Sequence, residues 1–332
     1  MDFNLVWFVL IVVLFTGFFI LEGFDYGVGM LLIGRSESER TQLIRAIGPI
    51  WHGNSVWMIT AGGASFAAFP HFYATLFSTA YLALFLMLLA LIMRGVAFEL
   101  RGKFKGAQWK CFWDGAIVFG SIVPAFLWGV TFANLLRGLP IDAQMYYHGN
   151  FFDLLTPYTI LAGLTFVLIF AVHGLSFLLL KIADGRILLD LRKQSFCLGI
   201  AACVVYFIFL FMTMTETDVT STTAGGIIFA VALGVFSAGC EFAYKSKGNG
   251  WSAFVATTVS VLLTTTAFFA ALFPRLMVSS LADEWSLTIY NSASTPDTLF
   301  IMTIAAVILV PIVLCYQYWT YKIFKERVQQ IN

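Results

Sequence analysis

LEGFDYGVGMLL, residues 21–32, lies inside the first long apolar run of the chain. Two carboxylates, Glu22 and Asp25, stand three residues apart within it, and Gly17, Gly23, Gly27 and Gly29 strip much of the same helix of side chain. The flanking residues are too apolar for a solvated surface. The stretch therefore reads as a membrane helix that carries two acids and an exposed backbone face. Acids in that setting are costly, and a reading of the chain has to explain them.

The composition agrees with the membrane assignment. Of 332 residues, 60% are hydrophobic, 17% aromatic and only 11% charged, against about 25% charged in soluble domains. Such a chain cannot cover a soluble surface, and it reads as an all-α polytopic membrane protein. A net charge of +1 argues against a nucleic-acid partner. The five cysteines, Cys111, Cys197, Cys203, Cys240 and Cys315, are scattered without a C-x-x-C, so neither a disulfide framework nor a zinc site is expected. The first run lacks a basic leader and a small-residue cleavage site, and is expected to stay as a spanning helix.

Nine apolar runs are long enough to cross a bilayer: roughly 5–33, 50–70, 72–98, 112–136, 156–182, 196–215, 225–244, 251–273 and 298–323. They are too long and too little alternating for a β-barrel. Nine spans place the termini on opposite sides. Of the 19 Lys and Arg residues, 16 fall in one set of loops and the C-terminal tail, including Lys245 and Lys247. Arg137 and Arg275 fall on the other side, and Arg94 within a span. The positive-inside rule then predicts an external N-terminus and a cytoplasmic C-terminus. The expected organisation is a first group of four spans over 1–136, an outer loop at 137–155, a second group over 156–273, a second outer loop at 274–297, and a last span with its tail over 298–332. The outer loops are expected to form short interfacial helices or to cover a partner.

The ionisable residues of the first four spans crowd toward one side. Glu22 and Asp25 lie in the inner half of the first span, His52 and Asn54 open the second, Arg94 and Glu99 close the third, and Asp114 opens the fourth. Carboxylates and a histidine are what a proton relay needs, because their affinities can be tuned toward neutrality. Arg94 is the one cation inside a span, and it is expected to pair with Asp25. The bland alternative is an ion pair that only fixes helix register. Gly23 and Gly27 form a G-x-x-x-G, expected to let a neighbouring helix approach. Of the four histidines only His173 lies deep, so no facing pair for a haem is visible. No phosphate loop or nucleophile elbow occurs. A proton-coupled transporter without a redox partner is the competing class, although transporters place polar groups near the midplane.

LEGFDYGVGMLL, IGPIWHGNSVWMITAGGASFAAFP (47–70), LIMRGVAFELR (91–101), GNFFDLLTPY (149–158) and FPRLMVSSLADEWSLTIYNSAS (273–294) together resemble subunit II of the cytochrome bd quinol oxidases. The resemblance implies two four-helix bundles plus one peripheral helix, in a bacterial plasma membrane. It implies a complex that oxidises quinol and reduces dioxygen to water, electrogenically, with two b haems, haem d and the quinol site in subunit I. Subunit II is then haem-free, supports haem assembly in its partner and offers a cytoplasmic proton route. Asp25 matches the acid of the family's G-F-D motif, Arg94 the arginine after the third span, and Glu99 stands where the family has an acid. His52 departs from the family's W-D-G-N. A small single-helix subunit, and a lipid or quinone within this chain, are further partners to test for.

Overall fold

The structure, a computed structural model, describes residues 2–220, 223–246 and 250–329. Met1, the last three residues, and Lys247 of the basic side lie outside the described residues.

Among the described residues there are eleven α-helices: α1 (Phe3–Met30), α2 (Glu37–Ile47), α3 (Trp51–Ala68), α4 (Pro70–Thr79), α5 (Tyr81–Leu100), α6 (Ala107–Arg137), α7 (Pro157–Lys181), α8 (Gly185–Glu216), α9 (Thr223–Lys245), α10 (Trp251–Leu272) and α11 (Pro296–Ile323). Local chemistry sets their starts. Asp2 caps α1 by accepting from the N–H groups of Asn4 and Leu5 at 3.0 and 3.2 Å. Ser36 and Glu39 form a capping box on α2, and Thr156 with Pro157 opens α7.

Eight of these helices, among the described residues, are long and apolar enough to cross a membrane, and α3 is not one of the eight. Its 18 residues carry His52, Asn54, Ser55 and Thr60 together with three glycines, which lower its hydropathy below that of its neighbours. The expected run at 72–98 is not one straight helix. Pro70 ends α3, since the residue before a proline avoids helical geometry, and Phe69 sits at φ −131°, ψ 68°. The chain then bends at Ala80 between α4 and α5, at φ −97°, ψ 19°.

α1 is the central helix and packs on α3, α6, α7 and α10. Helix association in lipid rests on close packing rather than on hydrophobicity. Here a ring of aromatics supplies it, with Phe15, Phe19, Trp128 and Phe132 in mutual edge contact at centroid distances of 5.3–5.7 Å. α11 stands apart. Leu299 is its one buried residue, and residues 307–316 are all exposed.

At the end opposite Arg94 and Asp114, the two long connections, which carry short 3-10 turns at Phe151–Leu154 and Asp283–Trp285, join into a cap. Strands β1 (Arg275–Met277) and β2 (Leu287–Thr288) form an antiparallel pair. Leu139 donates to the Val278 carbonyl at 3.0 Å, and the Ser279 hydroxyl to the Ile141 carbonyl at 2.7 Å. In this cap Asp142 meets His148 at 2.6 Å and accepts the N–H groups of Gln144 and Tyr146, each at 2.9 Å. The His148 contact, followed by these backbone donors, holds the Asp142 carboxyl below its ordinary range. A carboxyl depressed by folding contributes stability above its unfolded value, about 3.9, and loses it as pH falls through the lower folded value. Acidification below about pH 4 is therefore expected to speed hydrogen exchange at the Gln144 and Tyr146 amides, after correction for intrinsic rates. Exchange that stays constant down to pH 2 would count against this tie.

Candidate functional site

Two polar clusters occupy the basic end of the helices, where α1 and α5 finish and α3 and α6 begin. The deeper one centres on Arg94 of α5, 1% exposed. α6 reaches α5 there through Gly120, where a Cβ would lie 2.4 Å from the Arg94 Cβ and 2.5 Å from the Ala90 carbonyl. The guanidinium forms an ion pair with Glu22 and lies 4.9 Å from the centroid of the Tyr26 ring and 5.3 Å from that of Phe98, within cation–π range. The second Glu22 oxygen accepts from the Ser55 hydroxyl at 2.9 Å.

Asp25 is the neighbour of this pair and not its direct partner. Its Oδ2 accepts from the Asn54 side-chain amide at 2.8 Å. The Asn54 carbonyl oxygen in turn accepts from the Tyr321 hydroxyl at 2.8 Å and the Gln317 amide at 3.0 Å, both on α11. The expected Arg94–Asp25 pairing is thereby corrected, because the helix phase of α1 turns Glu22 toward α5 and Asp25 toward α3. Asp25 Oδ1, the Tyr26 hydroxyl and two Arg94 nitrogens have no hydrogen-bond partner among the described residues.

The shallower cluster is a closed tie. Asp114 of α6 takes the Arg101 Nε at 2.5 Å and the Arg40 guanidinium at 3.1 Å, and Arg101 also donates to Thr41 at 3.1 Å. It fastens α2 to the junction of α5 and α6. His52 and Glu99 join neither cluster. Both are exposed, and His52 stacks on Trp51 with ring centroids 3.6 Å apart.

Gly23 and Gly27 do admit another helix. A Cβ on Gly27 would lie 1.9 Å from the Phe170 carbonyl oxygen of α7, and one on Gly174 only 2.5 Å from Gly27. This face lies opposite Asp25, since two residues turn a helix by about 200°. His173, three residues beyond Phe170 on the chain, has its Nδ1 at 2.9 Å from Thr257 and its Nε2 at 3.1 Å from the Ile20 carbonyl. A neutral ring with the proton on Nε2 satisfies both contacts.

Residues 3–324 match the family described as cytochrome bd terminal oxidase subunit II. The chain belongs to this family. Among its relatives is the cytochrome bd ubiquinol oxidase subunit 2 of Bacillus subtilis (strain 168), 42% identical over 97% of this chain and 96% of that protein. The cytochrome bd-I ubiquinol oxidase subunit 2 of Escherichia coli (strain K12) is 35% identical over 98% and 96%. A chain of the bd oxidase structure from Geobacillus thermodenitrificans superposes with a TM-score of 0.73 at 13% identity, covering 98% of this chain and 99% of that one. At that identity the match speaks for the fold alone. This subunit II is thus a multi-pass membrane component of a bacterial respiratory oxidoreductase.

Sequence reading missed Gln317 and Tyr321, and with them the part α11 plays. Their signal was present, as two hydrogen-bonding side chains four residues apart, and so on one helix face, in the last run. It also missed Arg101 and Arg40 as partners of Asp114, because cations at loop edges read as solvated charge.

Proposed function

We propose that this chain acts as the haem-free subunit of a quinol:dioxygen oxidoreductase, supporting haem assembly in subunit I and delivering protons from the cytoplasmic side toward the site of water formation. The observation that carries the relay is the Glu22–Asp25–Arg94 group. It holds two acids and one base, all at most 1% exposed, so it is electrically neutral only when one carboxyl carries a proton. A buried group of that kind can accept and release a proton while changing net charge by one, which an isolated ion pair cannot do without breaking. The unpartnered oxygens and nitrogens beside it are suited to hold water that links it to solvent. His52 and Glu99, exposed at the same end, form the uptake surface. Asp114, saturated by two arginines, holds the helices in place around it.

In this reading α3 is the ninth span, carried across the bilayer by its neighbours rather than by its own hydropathy. α1, α3, α5 and α6 form one bundle and α7 to α10 the other, with α11 peripheral. The packing of α5 on α6, and of α9 on α8 and α10, supports the two groups, which α1 and α6 join through α7. The asymmetry of Lys and Arg supports a cytoplasmic C-terminus and an external cap.

The haems belong to the partner in this reading, because the histidines here offer no seat for one. His52, His71 and His148 are exposed near the ends of the molecule, and both ring nitrogens of His173 are engaged. When bound in subunit I, the haems supply electron transfer and dioxygen binding. This chain's part is to hold and pass protons. Replacing Asp25 by Asn in the assembled complex is expected to lower quinol oxidase turnover roughly tenfold to a hundredfold with the haem spectrum intact, and Glu99→Gln to lower it less. Full turnover in the Asp25→Asn complex at normal haem content would exclude a required relay through that carboxyl. Loss of haem would point to assembly alone.

A further inference from the structure

We propose that α11 is a latch over the buried acids, with Gln317 and Tyr321 as the positioning residues that orient Asn54 and so hold Asp25; the consequence for turnover rests on the relay reading above. The chemistry of one amide carries the orientation. Asn54 must present its NH2 to a carboxylate, which only accepts, and its carbonyl to donors. Gln317 and Tyr321 supply two donors to that carbonyl, at 3.0 and 2.8 Å. They stand one helical turn apart, on one face of α11. With the carbonyl fixed from α11, the amide nitrogen is aimed at Asp25 Oδ2, 2.8 Å away. Asn54 is fully buried, so loss of both α11 donors would strand its carbonyl.

The rest of α11 is built to depend on these contacts. At its far end Trp7 donates its indole N–H to the Leu299 carbonyl at 3.1 Å and to the Thr303 hydroxyl at 3.0 Å. Between the two ends, residues 307–316 are exposed, and Pro311 within them lacks the N–H that would close its own turn. Past the helix, the Val328 N–H donates to the Lys181 carbonyl at 2.7 Å, which returns the tail to α7. α11 is thus pinned by polar contacts at its ends and little packed along its middle. Release of the Asn54 contact would free the wall beside Asp25 without unpacking the central helices.

The test uses the whole purified complex and a membrane-permeant carbodiimide, which adds to buried carboxyl groups. Labelling at Asp25, separated from Glu22 by fragment-ion mass spectrometry, is followed in time. The Tyr321→Phe, Gln317→Leu double variant is expected to label at Asp25 about tenfold faster than the parent, and Tyr316→Phe, on the exposed side of α11, at the parental rate. Tyr321→Phe alone keeps the ring and is read if the double variant does not assemble. A rate at Asp25 equal to the parent's, or absent from both, overturns the latch whatever turnover does. For turnover, Tyr321→Phe is expected to lower kcat several-fold at unchanged quinol KM, and to have no further effect in an Asp25→Asn background. A loss that persists in that background shows that the tyrosine acts elsewhere and overturns its positioning role. If Asp25→Asn itself turns over normally, the relay fails, while carbodiimide labelling still decides whether α11 holds Asp25.

Discussion

Arg94→Met is expected to destabilise the complex by about 3–5 kcal/mol, read as a lowered melting temperature and reduced haem content after purification. Arg94 is the counter-charge for two carboxyls, and all three side chains are buried. Methionine fills similar volume but leaves Glu22 and Asp25 facing each other in a medium that screens poorly. The double variant Arg94→Met, Glu22→Gln is expected to recover much of the loss, because removing both members of a buried pair costs far less than removing one. Arg94→Lys is expected to fall between. An ammonium keeps the charge but lacks the flat guanidinium that reaches Glu22 through one nitrogen while lying against the Tyr26 and Phe98 rings. Arg45→Met, at an exposed position, serves as the control and is expected to change stability by under about 0.5 kcal/mol. An Arg94→Met complex that melts with the parent would mean that the carboxyls are not charged together with Arg94, and would remove the physical basis of the relay.

The helices with caps and steady apolar runs were legible from sequence almost to the residue. α7 was expected over 156–182 and spans Pro157–Lys181, and α10 was expected over 251–273 and spans Trp251–Leu272. Where the run becomes polar, hydropathy loses the helix although the helix continues. α8 was expected from residue 196 and begins at Gly185, capped by Asp184, because RILLDLRKQ favours helix without favouring lipid. α2 was missed for the same reason. The bend at Ala80 has no proline or glycine to announce it.

The site was legible in its level and not in its pairing. Acids inside an apolar run reveal depth, since depth follows from position along the helix. Which acid meets Arg94 depends on where α5 stands around α1, which no single helix specifies. His52 and Asn54 differ by two residues, about 200° of turn, so one faces in only if the other faces out. Glu99 is five residues beyond Arg94, about 140° away on the helix, and could not share its buried face. The W-H-G-N departure therefore alters the exposed rim and leaves the Asn54 contact to Asp25 intact.

Gly27→Ala is expected to block stable assembly, at a cost of about 3 kcal/mol or more, where Gly234→Ala is expected to be neutral or stabilising by up to about 1 kcal/mol. Both changes add one methyl to a helix and raise its intrinsic propensity, so the contrast isolates packing. At Gly27 the new carbon would lie 1.9 Å from the Phe170 carbonyl and 2.8 Å from the backbone of Gly174. These are backbone atoms, and no rotamer change removes them. α1 and α7 would have to separate by roughly 1.5 Å to restore contact distance. That shift would stretch the His173 contact to the Ile20 carbonyl, now 3.1 Å, and carry Glu22 and Asp25 with α1 relative to the helices that pair them. At Gly234 of α9 nothing lies within 4 Å. The measurement is the yield of complex with haem and its melting temperature, with Gly174→Ala expected to repeat the Gly27 result from the other helix. If Gly27→Ala assembled and melted like the parent, α1 and α7 would not be in backbone contact. The central crossing that positions both acids would then be wrong.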